Sequence, residues 1–350
     1  MGCFHSKSES IKNKRKNSSS TKTYSWDNKE KVNPKDYTIE NLKGETAGKL
    51  PGSVNGQQFI IQNCENSNIY IFDHINTATV DDCKNCNVFI GPTKGSVFLR
   101  DCHECRFVIA CQQFRARDCK DLDVFLCCST QPIIESCTEM RFGCFCFHYK
   151  ELDEQFKKAS LSTFNNNWNN IHDFTPTEVE ENWNLLPKNR KIEEFFPLPS
   201  SEELSSVQIS MAPHLSVVPQ TNNIGESNLS DESCLVVFFP DGQAQKRALS
   251  YIRELNKTSN MLIRTKEIKL DESQAERIFG TDSYNGVVIR GPVFSLEYSG
   301  ENCIKICQEK AKAIATETGS TGLVYVSSSA KTARKQVEAL FNYADIQLSI

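Results

Sequence analysis

Five segments of this chain repeat one design: QNCENSNIYIF (62–72), DDCKNCNVFIG (81–91), RDCHECRFVIA (100–110), RDCKDLDVFLC (117–127) and ESCTEMRFGCF (135–145). Their leading cysteines, Cys64, Cys83, Cys102, Cys119 and Cys137, are spaced by 19, 19, 17 and 18 residues. A period this short and regular means stacked supersecondary units, with too little chain per unit for a helix. Five residues after each cysteine stand Ile69, Val88, Phe107, Val124 and Phe142, and two further on Ile71, Ile90, Ile109, Leu126 and Cys144. Such alternation marks a strand with one buried face. The period therefore predicts a parallel β-helix in which each coil adds a rung.

Counting backward from each cysteine aligns the preceding strand. Five back stand Phe59, Ala78, Val97, Phe114 and Pro132, and three back Ile61, Val80, Leu99, Ala116 and Ile134; both columns read as inward. Two back is an outward polar column of Gln62, Asp81, Arg100, Arg117 and Glu135, in which Arg117 can pair with Glu135 on the next rung. A surface ion-pair ladder and a direct role are both open for Arg117. Four back stand Ile60, Thr79, Phe98, Arg115 and Ile133, outward by alternation yet mostly apolar. An apolar outward column suggests a surface that something covers. Arg115 interrupts it with no carboxylate in its column, and a planar guanidinium presented this way suits a partner's phosphate.

Sixteen cysteines demand an explanation, and twelve of them fall between Cys64 and Cys146. Cys83/Cys86 and Cys102/Cys105 have zinc-pair spacing, but the other coils carry Ser67, Leu122 and Met140 at the second position, as a packed interior slot does. We expect no metal, and a buried ladder of free thiols. The chain shows no secretory apolar region and no apolar run near the roughly 18 residues that span a bilayer, so a cytosolic, reducing setting is expected. A formal net charge of −4 provides no global field for nucleic acid, which is not expected as a partner. A β-helical carbohydrate-active enzyme would need paired acids. Asp81 and Asp82 are sequence neighbours and so point to opposite strand faces.

The coils with QQFRARDC (112–119) and the stretch FNNNW…NIHDFTP (164–176) resemble the tubulin cofactor C homology domain. The resemblance implies a right-handed β-helix that acts as a GTPase-activating protein for Arf-like small GTPases, supplying an arginine finger in trans. It places the finger on Arg115, with a glutamine assisting. Alternation favours Gln113 as sharing Arg115's face, while a turn near Cys111 would bring Gln112 there instead, and both stay open. Interface roles follow for Glu135 and Phe174, and the apolar column adds Phe98 and Ile133 to the binding surface. The implied partner is an Arf-like GTPase in its GTP form, Arf-like 3 foremost, which carries the GTP and Mg; the chain needs no cofactor of its own. The alternative is a non-catalytic scaffold or effector whose outward apolar face binds a GTPase or lipidated cargo.

Met1-Gly2-Cys3-Phe4-His5-Ser6 matches the myristoylation pattern at Gly2, and Cys3 is a natural palmitoylation site. A myristoyl chain alone binds membranes with K on the order of 10⁴ M⁻¹, so a second signal is needed. Cys3, or Lys7, Lys12, Lys14, Arg15, Lys16 and Lys22, can supply it. The expected location is the cytoplasmic face of the plasma membrane, with the cilium or basal body implied by the resemblance.

The expected division is a lipidated tail (1–35), a β-helix domain (36–198), a linker rich in Ser, Pro and Asn (199–231) and a ferredoxin-like α+β domain (232–350). A helix is expected over 151–162, with Trp168 capping the solenoid. In the last part, strands at 235–239, 261–268, 293–298 and 323–326 alternate with helices at 243–256, 272–279, 302–316 and 333–343. The stretch 327–341 is similar to the nucleoside diphosphate kinase fold. Those kinases work through a phosphorylated histidine. All six histidines here precede residue 232, so kinase activity is not expected, and the protein is read as an activator of an enzyme.

Overall fold

The structure, a computed structural model, describes residues 33–187, 192–223 and 232–349. Gly2, Cys3 and the basic residues of the tail lie outside the described residues.

The repeats fold as a parallel β-solenoid. On one face run β1 (Thr38–Glu40), β3 (Phe59–Gln62), β5 (Ala78–Asp81), the second half of β6 (Asn87–Arg100), the second half of β7 (Arg106–Arg117), β9 (Ile133–Glu135) and β11 (His172–Asp173). On another run β2 (Thr46–Lys49), β4 (Asn68–Ile71), the first halves of β6 and β7, then β8 (Lys120–Cys128), β10 (Thr138–Cys144) and β12 (Trp183–Leu185). The inward columns are buried as the period requires, from Phe59, Ala78, Val97 and Phe114 to Ile69, Val88, Phe107, Val124 and Phe142.

Each coil turns sharply at its leading cysteine. The residues just before it, Asn63, Asp82, Asp101, Asp118 and Ser136, and two after it, Asn66, Asn85, Glu104, Asp121 and Glu139, all have φ between +49° and +56°. Asn and Asp tolerate this left-handed conformation better than other non-glycine residues. The five leading thiols each donate to the carbonyl two residues back, at 3.3–3.4 Å. Cysteine thus fills a small apolar slot and also serves a corner carbonyl, which alanine could not do.

Three expectations are corrected. The second face is buried on both sides, because Tyr70, Phe72, Phe89, Val108 and Phe125, outward by alternation, are covered. Part of the cover is α1 (Leu152–Lys158), shorter than the helix expected over 151–162. More comes from Phe145, Phe147 and Tyr149 and from 192–218, so the stretch expected as a linker over 199–231 is packed up to residue 223, its remainder lying outside the described residues. Leu204 from α2 (Glu202–Ser205), Val207, Met211 and Val218 are buried against that face, and His148 and Ser210 bridge antiparallel. Apolar residues too sparse to show a period still find a surface when a sheet leaves one uncovered.

The last part is a four-stranded antiparallel sheet in the order β14 (Met261–Ile268), β15 (Val293–Gly300), β13 (Glu232–Phe238), β16 (Val324–Val326). Alternation in β13 serves two cores. Cys234, Val236 and Phe238 face α3 (Ala244–Leu255) and α6 (Cys303–Glu317); Leu235 and Val237 face α4 (Glu272–Phe279), the short α5 (Asn285–Val288) and α7 (Ala330–Ser349). This is the expected ferredoxin-like layering, with α5 added. Phe164, from the solenoid side, is fully buried in the first of these cores, edge-on to Phe294.

Candidate functional site

Within each half-strand the parallel pairing holds its register, which turns sequence columns into rows of neighbours about 4.8 Å apart. Arg115 pairs with Phe98 on the rung before and Ile133 on the rung after, and Ile133 pairs in turn with His172. One step along the strands, Arg100, Arg117 and Glu135 form the adjoining row. Because 172–173 adds a further rung beside β9, and the Phe174 N–H donates to Ile134 O at 2.9 Å, Phe174 stands at the end of that row.

These side chains line one groove of about 450 Å³, formed by Thr79, Phe98, Arg115, Arg117, Ile133, Glu135 and Phe174 with their strand neighbours. Phe174 is 60% exposed, unusual for a large aromatic, and His172 meets its ring edge-on at 4.6 Å. The cations of the groove differ in what neutralises them. Arg100 forms a two-pronged pair with Asp81, at 2.8 and 2.9 Å. Arg117 pairs with Asp118 at 3.1 Å, not with Glu135 as the column suggested, because the left-handed corner turns the next residue's carboxylate toward it. Arg115 is exposed and forms no ion pair among the described residues. It is a guanidinium in an apolar row, available to an anion from outside.

The two glutamines separate. The Gln113 side chain accepts from Ser96 Oγ at 3.1 Å, and the pairings Ser96 with Gln113 and Phe98 with Arg115 put it on Arg115's side of the strand. Gln112 is exposed and lines a different cavity, with Lys94, Asp153 and Gln347. A turn that brings Gln112 beside Arg115 is not what the chain adopts. His172, which the column reasoning missed, enters the site because β11 pairs with β9; a two-residue strand leaves no periodic signal.

Trp168 is buried with Ile171 against the solenoid core, as a cap is. The CxxC cysteines are buried and free, and among the described residues no group of three or more His, Cys, Asp or Glu is arranged to hold a metal ion. Burial pushes the thiols of Cys111 and Cys127 well above the ordinary cysteine range, so they stay protonated at neutral pH. No described helix is long and apolar enough to cross a membrane.

Residues 56–174 match the family model of tubulin binding cofactor C. Over its whole length the chain is 51% identical to Protein XRP2 of Xenopus laevis, covering 100% of both. The chain belongs to the XRP2 family. Among solved structures, tubulin binding cofactor C from Leishmania major is similar over 41% of this chain and 89% of its own, with 23% identity and a TM-score of 0.29. A nucleoside diphosphate kinase from Aquifex aeolicus covers 32% of this chain and 95% of its own, with 14% identity and a TM-score of 0.27. Within this XRP2-family chain the groove around Arg115 lies inside the matched cofactor C segment, and Phe174 is its last residue.

Proposed function

We propose that this chain is a GTPase-activating protein for an Arf-like small GTPase, with Arg115 as an arginine finger offered in trans. The observation that carries the reading is an exposed arginine, without an ion pair among the described residues, set in an apolar row that a partner can cover. GTP hydrolysis builds negative charge on the β–γ bridging and γ oxygens. A guanidinium entering from outside, where the partner excludes water, stabilises that charge far better than water does. Such fingers accelerate hydrolysis by about 10³–10⁵-fold. The partner holds GTP and Mg, so the activator needs no cofactor of its own.

The other groove residues bind and orient. Phe174 offers an aromatic anchor of the kind that concentrates binding energy, while Phe98 and Ile133 supply apolar area beside it. Glu135 and Arg117 supply charges at the rim, and Gln113, held by Ser96, assists on Arg115's side. Myristoylation at Gly2, with palmitoylation at Cys3, would hold the activator at the cytoplasmic face of the plasma membrane, in traffic of lipidated proteins to the cilium.

Single-turnover hydrolysis of GTP by a panel of Arf-like GTPases, Arf-like 3 included, tests the reading. Acceleration of at least one by the full chain is expected. Binding without acceleration across the panel would leave the protein a scaffold or effector. In cells, Gly2→Ala is expected to shift the protein from the membrane to the soluble fraction; unchanged fractionation of both Gly2→Ala and Cys3→Ser would contradict the anchor.

A further inference from the structure

The junction between the solenoid and the C-terminal sheet holds a buried charge that the proposed reaction does not use. Lys266 on β14 is 2% exposed, and its ammonium lies 2.8 Å from Asn167 Oδ1 and 2.8 Å from Asp345 Oδ1. A lysine is buried at this depth only when its charge is paired and its donors are used. Burial draws it below the ordinary lysine range, and Asp345 acts against that shift.

Asn167 passes the restraint into the solenoid. Its Nδ2 donates to Ser129 O at 2.7 Å, and its backbone N–H donates to Cys128 O at 2.8 Å. Ser129 N–H donates to Cys111 O at 3.1 Å, while the N–H and the hydroxyl of Thr130 each donate to Gln112 O at 3.0 Å. At this point β7 changes partners: up to Cys111 it pairs with β8, and from Arg115 onward with β9. The corner between the two halves sets the direction in which the Arg115 strand runs into the groove. Neighbouring Asn165 fixes the other side, its amide accepting from Glu267 N at 2.8 Å and donating to Glu267 O at 3.0 Å, as a paired strand would.

We propose that Lys266 and Asn167 are positioning residues for Arg115: through Ser129 and Thr130 they hold the corner of β7, so that the C-terminal domain governs the finger's placement. The inference rests on the reading of Arg115 as a finger. Catalytic groups must be held to within about 0.5 Å of their productive position. A displacement of about 1 Å can cost on the order of 100-fold in rate. The C-terminal domain thereby acquires a part in the reaction.

The test uses the full chain with two variants. Lys266→Met removes the charge at similar length. Asn167→Asp keeps an acceptor for Lys266 and removes the donation to Ser129, and it carries the test if Lys266→Met fails to fold. Stimulated single-turnover rate and half-saturating concentration are read beside hydrogen exchange at the amides of 113–117, with 59–62 as internal control. The account expects the saturated rate to fall about 10-fold with half-saturation unchanged. Exchange should rise at 113–117 alone, and Lys266→Arg should recover part of the rate. Unchanged rate and exchange would overturn the proposal, as would faster exchange at both segments together, which marks general destabilisation. If the wild-type chain accelerates no GTPase, the finger reading has failed by itself, and exchange decides the coupling: a rise confined to 113–117 sustains it, and no change refutes it.

Discussion

On the proposed function Arg115 and Phe174 divide the work of the groove, so their variants should separate in kinetics. Truncating an aromatic anchor of an interface typically costs about 2 kcal/mol of binding. Phe174→Ala should therefore raise the half-saturating GTPase concentration while leaving the saturated rate near that of the wild type; a titration of stimulated hydrolysis checks this. A lowered saturated rate at unchanged affinity would assign Phe174 to chemistry instead. Arg115 could be singled out from the sequence because it breaks a column. The ion pair of Arg117 could not, since the left-handed corner at Asp118 redirects a carboxylate that column arithmetic leaves aside. The position of Gln112 depended on whether the chain turns near Cys111 and needed coordinates.

At the scale of the rung, repeat regularity hides residues that the irregular coils depend on. Gly91 lies where a Cβ would approach Asp73 O to 2.2 Å and Ile71 O to 2.9 Å, so the backbone of β6 crosses the preceding coil too closely for any side chain. Gly91→Ala should cost about 3 kcal/mol in denaturant unfolding. Asp73 is buried and accepts from the N–H groups of Val54, Asn55 and His74 at 2.7–2.9 Å. Burial pushes its carboxyl up, but those donors and the His74 ring outweigh it, and the net shift lies below the usual 3.8. The folded state therefore holds this proton less tightly than the unfolded chain. The stability it contributes is fully present above about pH 3.8 and is lost as pH falls through the lower folded value. Asp73→Asn should lack that part of the acid slope, which unfolding curves at successive pH values will show. The strand columns were legible because one inward face repeats five times. The glycine approach and the Asp73 cradle occur once each, so no period announced them.

Over the whole molecule, the strap from 192 to 218 joins the solenoid into a two-sided core. Met211→Ala, removing a buried side chain from that contact, should cost about 3 kcal/mol and hasten proteolysis within 199–223, read by limited digestion. Equal resistance to protease would mean the strap contributes little. The C-terminal sheet was legible strand by strand because its helices and strands each carry a clear period, whereas the strap offered only scattered apolar residues among Ser and Pro. The asparagines of 165–167 carry no period in the sequence. Their amides instead imitate strand backbone on two sheets at once, a role that composition does not distinguish. The decisive measurement is single-turnover GTP hydrolysis by a responsive Arf-like GTPase with the wild-type chain, Arg115→Ala and Arg115→Lys, binding being measured in parallel. The account predicts that both variants still bind and lose the stimulation, lysine failing because a point charge lacks the two-pronged guanidinium. Normal stimulation by Arg115→Ala would contradict it.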